Sequence, residues 1–220
     1  MDVDGIVMLI VLLLSVVGGI AAGGIVGFIV RGRAGDGGML PWRFLLRVYL
    51  YLALIASLMV TVGGLAELVR AALGVALGEG FSYYPSYPTP APAPDTPLVP
   101  EEGLRRALWE GVLRGITSCG IGSLVLGAHL WVRRRLEVPG EGRDVLGRAY
   151  LVFLLLIFSV LVLVTLPFAL YHTLRFFLLD ARDVPPGEPL ARALTVLPLW
   201  VWLLYRAVGV LRGEGQAQGG

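Results

Sequence analysis

From position 149 to 174 the chain runs for 26 residues without a charged side chain. A helix rises 1.5 Å per residue, so about 20 mostly apolar residues cross the roughly 30 Å of hydrocarbon in a bilayer. Residues 6–30, 48–66 and 115–132 form comparable uncharged runs, and residues 193–211 form another that is broken only by Arg206. That arginine lies near the end of its run, where the long stem carries the charge to the headgroups. These segments take about half of the 220 residues, which leaves too little chain for a sizeable soluble domain. The expected fold class is therefore all-α, an integral membrane helical bundle of five transmembrane helices. A composition 56% hydrophobic and only 15% charged agrees with that class and not with an ordinary soluble domain.

The first run does not read as a cleavable leader, because Asp2 and Asp4 make its n-region acidic and its apolar stretch is too long. It is expected to stay as a helix. Orientation follows from arginine alone, since all 18 basic residues are Arg. With the N-terminus outside and the C-terminus inside, 11 arginines and 5 acids fall on inner segments, against 7 arginines and 11 acids outside. That division matches the enrichment of basic residues in cytoplasmic loops. The lack of lysine also excludes Schiff-base enzymes and the lysine-dependent phosphate sites of Walker-type and kinase-type proteins.

Along the chain, residues 1–42 read as an N-terminal transmembrane helix and inner loop, 43–135 as a two-helix membrane unit, 144–212 as a second such unit, and 213–220 as a flexible tail. The first unit contains an outer loop, residues 80–100, holding 7 of the 14 prolines with Phe81, Tyr83, Tyr84 and Tyr87 at its start. Alternating prolines favour an extended polyproline II strand, either a stiff connector or a docking strand for an extracytoplasmic partner. After it, Glu101, Glu102, Arg105, Arg106, Glu110 and Arg114 fall at i,i+4 spacings that support a polar helical extension above the third span. A shift of 101 residues aligns Arg47 with Arg148, Tyr49 with Tyr150, Leu50 with Leu151, Leu54 with Leu155 and Leu65 with Leu166. The two units then have parallel topology.

The entry Arg47-x-Tyr49-x-Tyr51, the long helix after it and a returning helix ending in His129, Trp131 and Arg133 resemble an uncharacterised family of bacterial multi-pass membrane proteins. Members of that family often carry this two-helix unit twice. The resemblance covers residues 43–212; the second unit has Tyr150 but Val152 in place of a second tyrosine. It implies architecture and a bacterial cytoplasmic (inner) membrane location, and no activity.

Few residues carry candidate chemistry. His129 and His172 are the only histidines, and their expected depths, one near the inner arginines and one near the outer end of the fourth span, place them too far apart to share a haem. Glu67 and Arg70, spaced i,i+3, are the deepest charges and are expected to pair with each other, the alternative being a functional gate. Gly19, Gly23 and Gly27 line one face of the first helix, and Gly111 and Gly115 form a second such pair; small-residue faces let helix backbones approach closely. Cys119 stands alone, so it makes neither an internal disulfide nor a metal site. Gly32 to Gly38 lacks the Gly-Lys-Ser or Gly-Lys-Thr of a phosphate cradle. Arg133, Arg134 and Arg135 anchor topology and face lipid headgroups.

The resulting expectation is a protein that is not an enzyme, with no catalytic, metal or cofactor site. It would act as a structural or accessory subunit of a larger membrane complex. Its partners would be the lipid bilayer and other membrane subunits, or a second copy through the first helix, with no nucleic acid. The alternative is a small transporter or channel using the interface between the two repeats.

Overall fold

The computed structural model describes residues 42–84, 100–136, 145–179 and 184–217. The first expected helix with Gly19, Gly23 and Gly27, and most of the proline-rich loop, lie outside the described residues. The chain divides into two units, Met1–Tyr51 and Leu52–Gly220, and the packing below belongs to the second.

Five helices follow one another: α1 Trp42–Leu77, the short α2 Glu79–Ser82, α3 Pro100–Leu136, α4 Val145–Leu179 and α5 Gly187–Ala217. No strand occurs among the described residues. The four long helices are long and apolar enough to cross a membrane. With 31 to 37 residues each, at 1.5 Å per residue they exceed about 45 Å, so their ends stand clear of the hydrocarbon. The sequence runs mark only the uncharged middles. α3 begins 15 residues before its run because the charged i,i+4 ladder continues the helix upward; there Arg106 Nε bonds Glu110 Oε1 at 3.1 Å.

Without water to bond, hydroxyls inside a bilayer turn to their own helix. Ser57 and Thr61 on α1, Thr165 on α4 and Thr195 on α5 each bond a carbonyl four residues back, at 2.7–2.8 Å. α4 and α5 pack along each other, and Leu154, Phe158, Leu161 and Ala169 of one and Ala191, Val196 and Leu203 of the other are buried. Trp200 Nε1 donates to Ser159 Oγ at 2.8 Å between them.

α1 and α3 are joined by glycine. A Cβ added at Gly122 would stand 2.6 Å from Thr61 Oγ1, one at Gly64 2.8 Å from the Cα of Cys119, and one at Gly115 2.9 Å from Leu68. As the α1 partner advances from 61 to 64 to 68, the α3 partner retreats from 122 to 119 to 115, which is an antiparallel register. Backbone against backbone at such separations leaves no room for a side chain, and dispersion between close helices replaces the hydrophobic drive that lipid cannot supply.

Candidate functional site

α1 stops at Gly78, whose φ of 99° lies in the left-handed region open to glycine. The chain reverses there. Phe81 N–H donates to the Gly78 carbonyl at 3.0 Å and Tyr83 N–H to the Glu79 carbonyl at 2.9 Å. This single turn of helix delivers Phe81, Ser82 and Tyr83, all buried, onto the end of the bundle.

The three side chains reach all four long helices. Phe81 packs edge-on against Phe176 at 5.3 Å between ring centres and lies 6.1 Å from Phe177, both on α4. Ser82 fits against Gly187, the first residue of α5, and against Gly74 of α1. Tyr83 lies between Gly74 and Gly111: a Cβ would come within 3.2 Å of its Cε2 at the first and 2.5 Å of its hydroxyl at the second. The segment is a plug, and the glycines are its sockets.

Arg70 holds the plug in place. Its Nε donates to the Ser82 carbonyl at 2.9 Å, and its guanidinium carbon sits 4.6 Å from the Tyr83 ring centre. Its Nη1 is 3.2 Å from Glu188 Oε2 and 3.8 Å from Glu67 Oε2, and Glu188 also bonds Arg192. The acid at the first turn of α5 is favourable to that helix's dipole in addition to the ion pairs. Burial pushes the Tyr83 phenol above its ordinary 10.0; Arg70 opposes this, Glu67 adds to it, and Arg114 and Glu188 act in the same opposed senses more weakly. Neither the Ser82 nor the Tyr83 hydroxyl has a hydrogen-bond partner among the described residues. Beside the plug a cavity of about 400 Å³ is lined by Leu77, Phe81, Tyr83, Leu104, Phe176 and Pro185, among others, and among the described residues by no charged side chain.

Of the residues singled out in the sequence, Glu67 and Arg70 are brought together, with Glu188 as the nearer partner of Arg70. Gly111 receives Tyr83 and Gly115 receives Leu68. Arg133 is half-buried and Arg134 and Arg135 are exposed at the far end of α3. His129 Nδ1 lies 2.8 Å from the Val125 carbonyl of its own helix, and His172 stacks on Phe168 at 6.1 Å. No grouping of three metal-ligand side chains occurs among the described residues. Cys119 sits in the α1–α3 contact, its backbone against Gly64.

Sequence reading missed Gly64, Gly74, Gly122, Gly187 and the plug. A signal existed for one of them: Gly122 stands two turns after Gly115 on the same face as Gly111. The others have no spacing that separates a socket from an ordinary glycine. Comparison with protein-family models, with curated proteins and with solved structures finds no match to this chain.

Proposed function

We propose that the chain is a non-catalytic structural or accessory subunit of a larger complex in a bacterial cytoplasmic membrane. In this reading five helices span the bilayer, with the N-terminus outside and the C-terminus inside. The observation that carries the reading is the commitment of Arg70, which is engaged by Ser82, Glu188, Glu67 and Tyr83 together. Charge near a bilayer is costly and is retained for a use. Here the use is tying α1, α2 and α5 together, and the described residues that line the adjoining cavity are uncharged.

A partner is supported by α3, the least covered of the four spanning helices. Its exposed side carries Leu113, Ile116, Ile121 and Leu124, with open space at Gly120 and Gly127. The orientation is supported by the balance of charge: Arg133, Arg134, Arg135, Arg148 and Arg206 lie away from the plug, whereas towards it arginines such as Arg70, Arg106 and Arg192 are offset by Glu67, Glu79, Glu110 and Glu188.

The deciding experiment is affinity purification of the tagged chain from native membranes, with a photo-crosslinker at Leu124 and identification of the attached protein. A specific crosslinked subunit is expected. A chain that purifies as a monomer with lipid-only adducts defeats the reading. A reporter fused after Gly220 that proves active outside the cell defeats the orientation.

A further inference from the structure

Two helices carry, in their halves away from the plug, the same pairing of an aromatic ring with a cation. On α3 the Arg135 guanidinium stands 5.1 Å from the centre of the Trp131 ring, and on α5 Arg206 stands 5.2 Å from that of Trp202. Each arginine follows its tryptophan by four positions, about one turn, so the helix itself sets the stack. Both pairs lie away from the plug, because Gly111 near the start of α3 meets Tyr83 and Gly187 at the start of α5 meets Ser82. Trp131 is 60% exposed and Trp202 53%, and both arginines are exposed. The stacks therefore face out from the bundle.

A guanidinium stacked by one face on an indole keeps its N–H groups directed along its own plane. That planar fork fits two oxygens of a phosphate, which the point charge of a lysine does not. At the plug end Arg70, Arg106 and Arg192 each have a carboxylate partner, whereas among the described residues none pairs with Arg135 or Arg206. Tryptophan in a membrane helix settles at headgroup level, which places each fork at the depth of lipid phosphates. Arg134, exposed beside Arg135, adds to the attraction.

We infer that Trp131–Arg135 and Trp202–Arg206 are two sites for the headgroups of anionic phospholipids. The guanidinium grips the phosphate diester and the indole packs on the glycerol and upper acyl chain. A zwitterionic lipid presents the same phosphate with a cation beside it, so the sites favour net-negative lipids. This holds whether or not the chain serves a larger complex.

Native mass spectrometry tests it, using the full chain in detergent micelles doped with equal phosphatidylglycerol and phosphatidylcholine. Wild type retains phosphatidylglycerol preferentially. Arg135→Gln with Arg206→Gln lowers that retention about fivefold per guanidinium, with phosphatidylcholine adducts unchanged. Arg135→Lys with Arg206→Lys keeps the charge, loses the fork, and falls between the two; it also serves should the glutamine variant fail to fold. Equal retention of the two lipids by wild type, or unchanged phosphatidylglycerol in the glutamine variant, overturns the inference. Displacement of the lipid by excess inorganic phosphate overturns lipid as the occupant.

Discussion

Arg70 of α1 lies 3.2 Å from Glu188 of α5, nearer than the 3.8 Å to Glu67 one turn back on its own helix. A pair that looks local in the sequence is thus a tie between distant helices. The same guanidinium also holds the Ser82 carbonyl and covers the Tyr83 ring.

Arg70→Gln should lower stability by about 2 kcal/mol. Breaking a fully buried pair costs roughly 3–5 kcal/mol, and this one is discounted because its side chains are 15% and 26% exposed. Glu188→Gln should cost more than Glu67→Gln, since Glu188 is the nearer partner of Arg70 and also bonds Arg192. Thermal unfolding of the three variants in detergent checks the order; an equal loss for Glu67→Gln and Glu188→Gln would contradict it.

Glycines should divide by what surrounds them. Gly64→Ala drives a methyl into the Ser118–Cys119 backbone, which cannot rotate away, and should cost about 2–3 kcal/mol through overpacking. Gly120→Ala and Gly127→Ala enter open space and should raise stability by about 0.5–1 kcal/mol through helix propensity. Melting temperatures of the three single variants moving in one direction would refute the distinction.

Gly111→Ala meets the end of a side chain and not a backbone, 2.5 Å from the Tyr83 hydroxyl. Removing that hydroxyl should rescue it. Tyr83→Phe alone should be neutral or stabilising by up to about 1 kcal/mol, because the buried hydroxyl has no partner among the described residues. The double variant should then unfold above Gly111→Ala and near wild type. A Tyr83→Phe that is itself strongly destabilised would show the hydroxyl to be engaged.

Tyr83 also sets a dependence on alkali. Its phenol is held above 10.0 in the folded chain, first by burial. The unfolded chain gives up this proton at lower pH than the folded one, so the unfolded state gains as pH rises. The contribution is whole below the ordinary value and is lost as pH climbs from there through the raised one. Unfolding temperatures followed from neutral pH upward should fall less steeply in Tyr83→Phe than in wild type; parallel curves would remove Tyr83 as the cause.

Much of the fold was legible because a bilayer imposes a length. Uncharged runs of 18, 19 and 26 residues, and the run 193–211 broken only by Arg206, had to be helices, and all four are. The site was less so. Residues 80–84 read as the start of a proline-rich connector, yet Phe81, Ser82 and Tyr83 fold back into the bundle. Nothing local distinguishes an aromatic turn that is solvated from one that has a socket, because the sockets at Gly74, Gly111 and Gly187 lie on three separate helices.

From the sequence by itself came the helical class and the four segments long and apolar enough to cross a membrane. All of these rest on composition and one-dimensional spacing, which the membrane reads directly. Which helices touch, and through which small residues, was decided only in three dimensions. Helix pairing in lipid depends on close surface fit between positions far apart in the chain, and so does the choice of Glu188 as the partner of Arg70.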